Sequence, residues 1–256
     1  MKNILKIMLM MITIYTITGS AVYAAEIPVS DQDQLITSRD WTEISNLQDE
    51  MKKEEPDATI DYDKALKVYV DCNLIKLQTA DTKKLTSALE SANYVWVIPF
   101  KMEKTYGMFT VAKGLPLSEE AKSVLTKAEQ EEVKNHAGKW MITETAEHTV
   151  EPYYDILLEK REALSDCTRV VLVGSQPGMR QPVALGMDDE TARIWISLGY
   201  QYPVMKKIPE TQNVESGVYS FDSVAEISDT YIEDSEVSTG AGVQSRSSMK
   251  YVAGIG

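Results

Sequence analysis

The chain reads as an α+β domain, a mainly antiparallel sheet of about six to seven strands with three helices packed on one face. Short runs with period-two apolar alternation recur between residues 61 and 198. Between them lie stretches whose apolar residues fall at helical spacing behind a capping residue or a proline. The two patterns alternate as βα steps mixed with hairpins, an order that a purely parallel sheet does not produce.

Residues 25–60 form a polar, acidic N-terminal arm. Within it Trp41, Ile44, Leu47 and Met51 are spaced for a short helix over Asp40–Lys53, which Glu54-Glu55-Pro56-Asp57 ends. The arm is expected to pack on the domain through Trp41. In the core, residues 61–205, Leu66, Val68, Val70 and Cys72 alternate onto one strand face, and Asp81 caps a helix carrying Leu85, Ala88, Leu89 and Ala92. Tyr94–Phe100 is apolar on both faces and therefore central, and Tyr106–Ala112 pairs with it as a hairpin. Ser118 with Glu119 and Glu120 starts a helix running to about His136 and stopped at Gly138, with Ala121, Val124, Leu125 and Ala128 inward. Lys139–Thr145 is the next strand, and Pro152 opens a third helix, Tyr153–Leu164. Arg169–Val173, Pro182–Met187 and Ala192–Leu198 complete the strands, with Trp195 on the face opposite Ile194 and Ile196, exposed or under the arm. The order strand, helix, hairpin at 65–113 recurs at 139–187 with poor identity, so two βαββ halves are one reading of the chain. From 206 to 256 Ser, Gly, Thr and acids dominate, the composition of a flexible tail.

Residues 1–24 read as a secretory signal peptide. Lys2 and Lys6 precede an apolar run from Ile7 to Ile17, and Val22-Tyr23-Ala24 offers small residues for cleavage after Ala24 or Ala25. The apolar run is about half of the roughly 20 residues that a membrane span needs. The expectation is a secreted or extracytoplasmic protein with no transmembrane segment after cleavage. The short leader and the absence of an Asn-x-Ser/Thr site fit a bacterial source. Without the leader, 24 basic residues face 39 acidic ones, a net charge of −15. Nucleic acid is thereby a poor partner, since its affinity comes from neutralising phosphates with Lys and Arg. Cys72 and Cys167 suggest one disulfide in an exported protein, closing a loop worth up to about 4 to 5 kcal/mol. The alternative is two buried thiols.

No motif calls for a cofactor or a metal. His136 sits where a helix C-terminus favours a cation. Glu144 and His148 share a strand face, but a zinc site needs three or four ligands and no further motif supplies them. The run Gly174–Arg180 is neither a phosphate loop nor a nucleophile elbow. It reads as a Pro-Gly turn, in which Ser175, Gln176 and Arg180 are the candidate ligand-binding residues for a carboxylate or sugar. Asp188-Asp189-Glu190 reads as a solvated hairpin tip rather than an acid–base pair. The function expected is a non-enzymatic binding or interaction module for an extracellular protein or glycan. The alternative is a small extracellular hydrolase that assembles Ser175, Arg180, Glu144 and His148 only on folding.

Overall fold

Alternate side chains of a strand are committed to opposite faces, and here both faces of the sheet find a cover. The computed structural model describes residues 27–148, 151–174, 176, 179, 181–199, 205–208 and 213–227. One mixed sheet holds β1 (Thr59–Ile60), β2 (Leu66–Val70), β3 (Asn93–Lys101), β4 (Tyr106–Lys113), β5 (Trp140–His148), β6 (Arg169–Val173), β7 (Val183–Met187), β8 (Ala192–Ser197), β9 (Asn213–Glu215) and β10 (Val218–Ser220). The spatial order is β5-β4-β3-β2-β6-β7-β8-β10-β9, with β1 pairing β3 off this path. β2 and β6 run parallel, Val68 facing Leu172 and Tyr69 facing Val173. The remaining ladders are antiparallel. The fold is α+β, but the sheet is mixed and wider than the sequence predicts.

Among the described residues the arm holds two helices where one is expected, α1 (Trp41–Ile44) and α2 (Gln48–Glu54), and the core four where three are expected, α3 (Thr82–Ser91), α4 (Glu119–Val124), α5 (Lys127–His136) and α6 (Tyr153–Glu159). The single helix predicted from Ser118 to His136 breaks at Leu125, whose backbone is extended. Thr126 and Glu129 form a capping box there and restart the helix as α5. Val124, predicted inward, is consequently 80% exposed. The helices also cover both faces instead of one. On one face Tyr153 and Leu157 of α6, with Ile27, pack over Leu66, Val68, Val97, Val170, Leu172 and Ile196. On the other, Leu85 and Leu89 of α3 cover Tyr69, Val171, Val173 and Leu185. Ile44 and Met51 of the arm cover Trp96, Ile98, Phe109 and Val111 on that same face. Strands such as β6, apolar on both sides, oblige this arrangement.

The echo between 65–113 and 139–187 is not a structural repeat. β2 leads through α3 to β3, its antiparallel neighbour, whereas β5 leads through α6 to β6, four places away in the sheet. The folded part also runs past the predicted tail boundary at 206. β10 lies against β8 with Tyr219 facing Trp195, and residues 221–227 are helical. Trp195 is neither exposed nor under the arm, because Phe221 and Val224 bury it from the C-terminal side. The Trp195 and Phe221 rings stand 6.1 Å apart. Ile208, Tyr219, Phe221 and Val224 join the Trp195 cluster from among many polar residues, and average composition hides them.

Cys72 and Cys167 are both buried and unbonded, which overturns the disulfide. The parallel register explains why. Gln176 bonds the Cys72 carbonyl, so Cys72 lies level with residue 176, nine positions beyond Cys167 along the strand direction. At about 3.3 Å per residue that is roughly 30 Å, far beyond the ~7 Å Cα separation a disulfide spans. The two thiols also belong to clusters on opposite faces of the sheet.

Candidate functional site: the cleft between arm and sheet

Alternation along β2 places Lys67 and Tyr69 on the face opposite Leu66 and Val68, where the α3 cluster and the arm cluster meet. Antiparallel pairing with β3 sets Lys67 beside Trp96 and Tyr69 beside Tyr94. Across the seam lies a cleft of about 420 Å³, within the range of small-ligand sites. Lys67, Tyr69 and Tyr94 form its floor, the arm from Asp31 to Asp40 one wall, and Leu89, Glu90 and Ala92 at the end of α3 the other.

Two aspartates of the arm are buried here, Asp33 and Asp40, and Asp40 is among the residues that line the cleft. Asp33, 2% exposed, accepts hydrogen bonds from the Tyr69 hydroxyl at 2.7 Å, Ser30 at 2.5 Å and Arg169 at 3.1 Å. Asp40 accepts from the Tyr94 hydroxyl at 2.9 Å and the Trp96 indole N–H at 3.0 Å through the same oxygen. Its other oxygen lies 3.8 Å from Arg39 Nε, whose side chain is 86% exposed at the rim. Buried carboxylates demand such donors, since each unpaired charge taken from water costs several kcal/mol. These bonds fasten the arm to the sheet, helped by bridges of Val29 to Val170 and Gln34 to Leu66.

Lys67 stands apart from this saturation. It is 9% exposed, and its ammonium lies over the rings of Tyr94, Trp96 and Tyr69 at 4.7, 5.2 and 5.7 Å. It pairs with Asp33 Oδ1 at 3.6 Å, a longer contact than the bonds Asp33 takes from Tyr69, Ser30 and Arg169. Burial lowers its pKa from the ordinary lysine value, with the carboxylates of Asp33 and Asp40 opposing. Burial, ahead of the hydrogen bond to Asp33, raises that of the Tyr69 hydroxyl.

No family model, curated protein or solved structure matches the chain. The site therefore rests on its own geometry.

Of the residues singled out from sequence, those that are described lie elsewhere. Ser175 and Arg180 fall outside the described residues, as does the predicted leader. Gln176 is 3% exposed, and both its N–H donors are taken, by the carbonyls of Cys72 at 2.6 Å and Gly174 at 2.9 Å. Its oxygen accepts the Leu74 N–H at 3.2 Å. Gln176 thus ties the loop after β6 to the loop after β2 and has no donor left for a ligand. Glu144 is exposed on β5, opposite Thr110. β5 stands four strands from β6, about 19 Å at the usual inter-strand spacing, so Glu144 lies well away from the end of β6. The side chain of His148 lies outside the described residues. Asp188 holds its turn, accepting from the N–H groups of Glu190 and Thr191 and from Arg193. The Thr191 and Glu190 bonds lower its pKa. Among the described residues no group of three His, Cys, Asp or Glu side chains could hold a metal ion. None of their helices is long and apolar enough to cross a membrane.

Sequence reasoning passed over Asp33, Asp40, Lys67, Tyr69, Tyr94 and Arg169 as a set. One signal was present: a lysine at an alternation position of a strand with apolar neighbours on both sides.

Proposed function

We propose that the chain is an exported, non-enzymatic binding protein that receives a small polar ligand in the cleft between arm and sheet. The observation that supports this reading is Lys67, a buried ammonium at the floor of an open cleft whose contact with Asp33 is long, 3.6 Å. The leader pattern at residues 1–24 supports export, and the acidic balance suits a partner other than nucleic acid.

Two measurements test it. N-terminal sequencing of the protein recovered outside the producing cell should begin at Ala25 or Glu26; retention in the cytoplasm with an intact leader removes export. A thermal-shift screen with sugars, amino acids and small organic acids should find compounds that raise the melting temperature of the wild type but not of Lys67→Met. A ligand at about 100 times its dissociation constant stabilises by roughly 2.7 kcal/mol, a readily seen shift. If compounds stabilise both proteins equally, or neither, the cleft is not the binding site.

A further inference from the structure

We propose that the cleft selects a neutral, hydroxyl-bearing ligand, a sugar ring held between Asp31 and Arg39 of the arm and Glu90 of α3. The proposal rests on the reading of the cleft as a binding site and names the chemical class that site selects.

Charge balance excludes an ion first. Around the floor, the cations of Lys67 and Arg169 are matched by the carboxylates of Asp33 and Asp40. Lys67 is paired to Asp33 and seated over three rings, so the buried set is neutral and presents no unmatched charge to a ligand. At the rim stand two exposed acids, Asp31 and Glu90, and one exposed cation, Arg39. The charged residues that line the cleft thus sum to −1. A carboxylate or phosphate entering the cleft meets Asp31 and Glu90, and an ammonium meets Arg39 and Lys67. Neither sign is favoured by more than one exposed charge, which water and salt screen.

The disposition of the rim groups then points to hydroxyls. Asp31, Gln32 and Arg39 belong to the arm wall and Glu90 to the opposite wall, and all four are exposed. Carboxylates only accept, a guanidinium only donates, and the amide of Gln32 does both. Acceptors therefore stand on both walls of one opening, with donors beside them. A hydroxyl is donor and acceptor at once. Neighbouring hydroxyls of one ring can donate to Asp31 or Glu90 while accepting from Arg39 or Gln32, and bonds with a charged partner are the stronger kind. Leu89, Ala92 and Tyr94 line the same opening and offer apolar surface to the C–H groups of such a ring.

Isothermal titration of the exported protein with glucose and galactose, and with the amine and uronate counterpart of each, tests the proposal. At least one neutral sugar should bind roughly tenfold or more tightly than both of its charged counterparts. Its affinity should be the same at about 10 mM and about 500 mM salt, because no net charge is being neutralised. Glu90→Ala and Arg39→Gln, both at exposed positions, should each weaken that binding roughly tenfold with an unchanged near-ultraviolet circular dichroism spectrum. An amine or uronate that binds as tightly as its neutral parent overturns the neutral assignment and leaves the binding cleft standing, as does an affinity that falls with salt. Neutral binding that survives both substitutions overturns the placement of the sugar in this cleft. If none of these sugars binds, the sugar assignment falls. The reading of the cleft as a binding site is then decided by the amino acids and organic acids of the thermal-shift screen.

Discussion

Lys67 and Asp33 touch the same cluster, yet their removal should have opposite consequences for stability. Lys67→Ala would open a hole among three rings, so Lys67→Met is the better perturbation because it keeps the volume and removes the charge. The gross attraction between Lys67 and Asp33 at 3.6 Å is about 4 to 5 kcal/mol at an effective dielectric of 20. Desolvating the ammonium costs several kcal/mol, which cancels most of that attraction. Asp33 keeps Tyr69, Ser30 and Arg169 as donors when Lys67 is lost, and a thioether packs well against aromatic rings. The expected change for Lys67→Met is therefore within about 1 kcal/mol of wild type, in either direction. Asp33→Ala strands Lys67 and Arg169 and leaves the Tyr69 hydroxyl without its acceptor, and should cost about 3 to 5 kcal/mol. Urea unfolding followed by tryptophan fluorescence measures both, with Trp96 and Trp140 on the same face as the cluster. A loss of 3 kcal/mol or more for Lys67→Met would make the ammonium a structural fastening and remove the physical basis of the cleft reading. A loss below 1 kcal/mol for Asp33→Ala would show that the arm is not held by this carboxylate.

Two further outcomes follow from the fold. Burial, ahead of nearby carboxylates, pushes the Cys72 and Cys167 thiols up to about 11. Both should resist alkylation at pH 8 in the native protein, while the denatured, unreduced protein titrates two thiols; one disulfide and no thiols would refute the register argument. Because folding raises these pKa values, their contribution to stability is fully present below the unfolded value near 9 and is lost as pH rises towards about 11. Urea midpoints of the wild type and of a double Cys→Ala variant should accordingly converge over that window. Phe221→Ala, which uncovers Trp195, should cost about 3 to 5 kcal/mol by urea unfolding. No measurable loss would mean that the C-terminal segment does not belong to the core.

Much of the secondary structure is legible in the sequence because its signals are local. Asp81 accepts the N–H groups of Lys83 and Lys84 as an N-cap should, and Tyr94–Phe100 does lie within a central strand, between β2 and β4. Even the break at Leu125 was legible in the Thr126–Glu129 spacing. The site was not, because its parts lie far apart in the chain. Asp33 meets Tyr69 across 36 positions and Arg169 across 136, and no short-range periodicity encodes either meeting.

What the residues determine by themselves is the α+β class, the position of most strands, and an acidic chain with a leader-like start. Pairing decided the rest. The parallel alignment of β2 with β6 separated the cysteines and gave Gln176 to the backbone of a neighbouring loop, and the strand order set Glu144 four strands from β6. It also buried the Lys67 face of β2 under the arm and α3. Alternation states which side chains share a face, but not whether that face meets water or another layer of protein. That depends on which distant segments come to lie on it, and for Lys67 it converts a surface charge into the floor of a cleft.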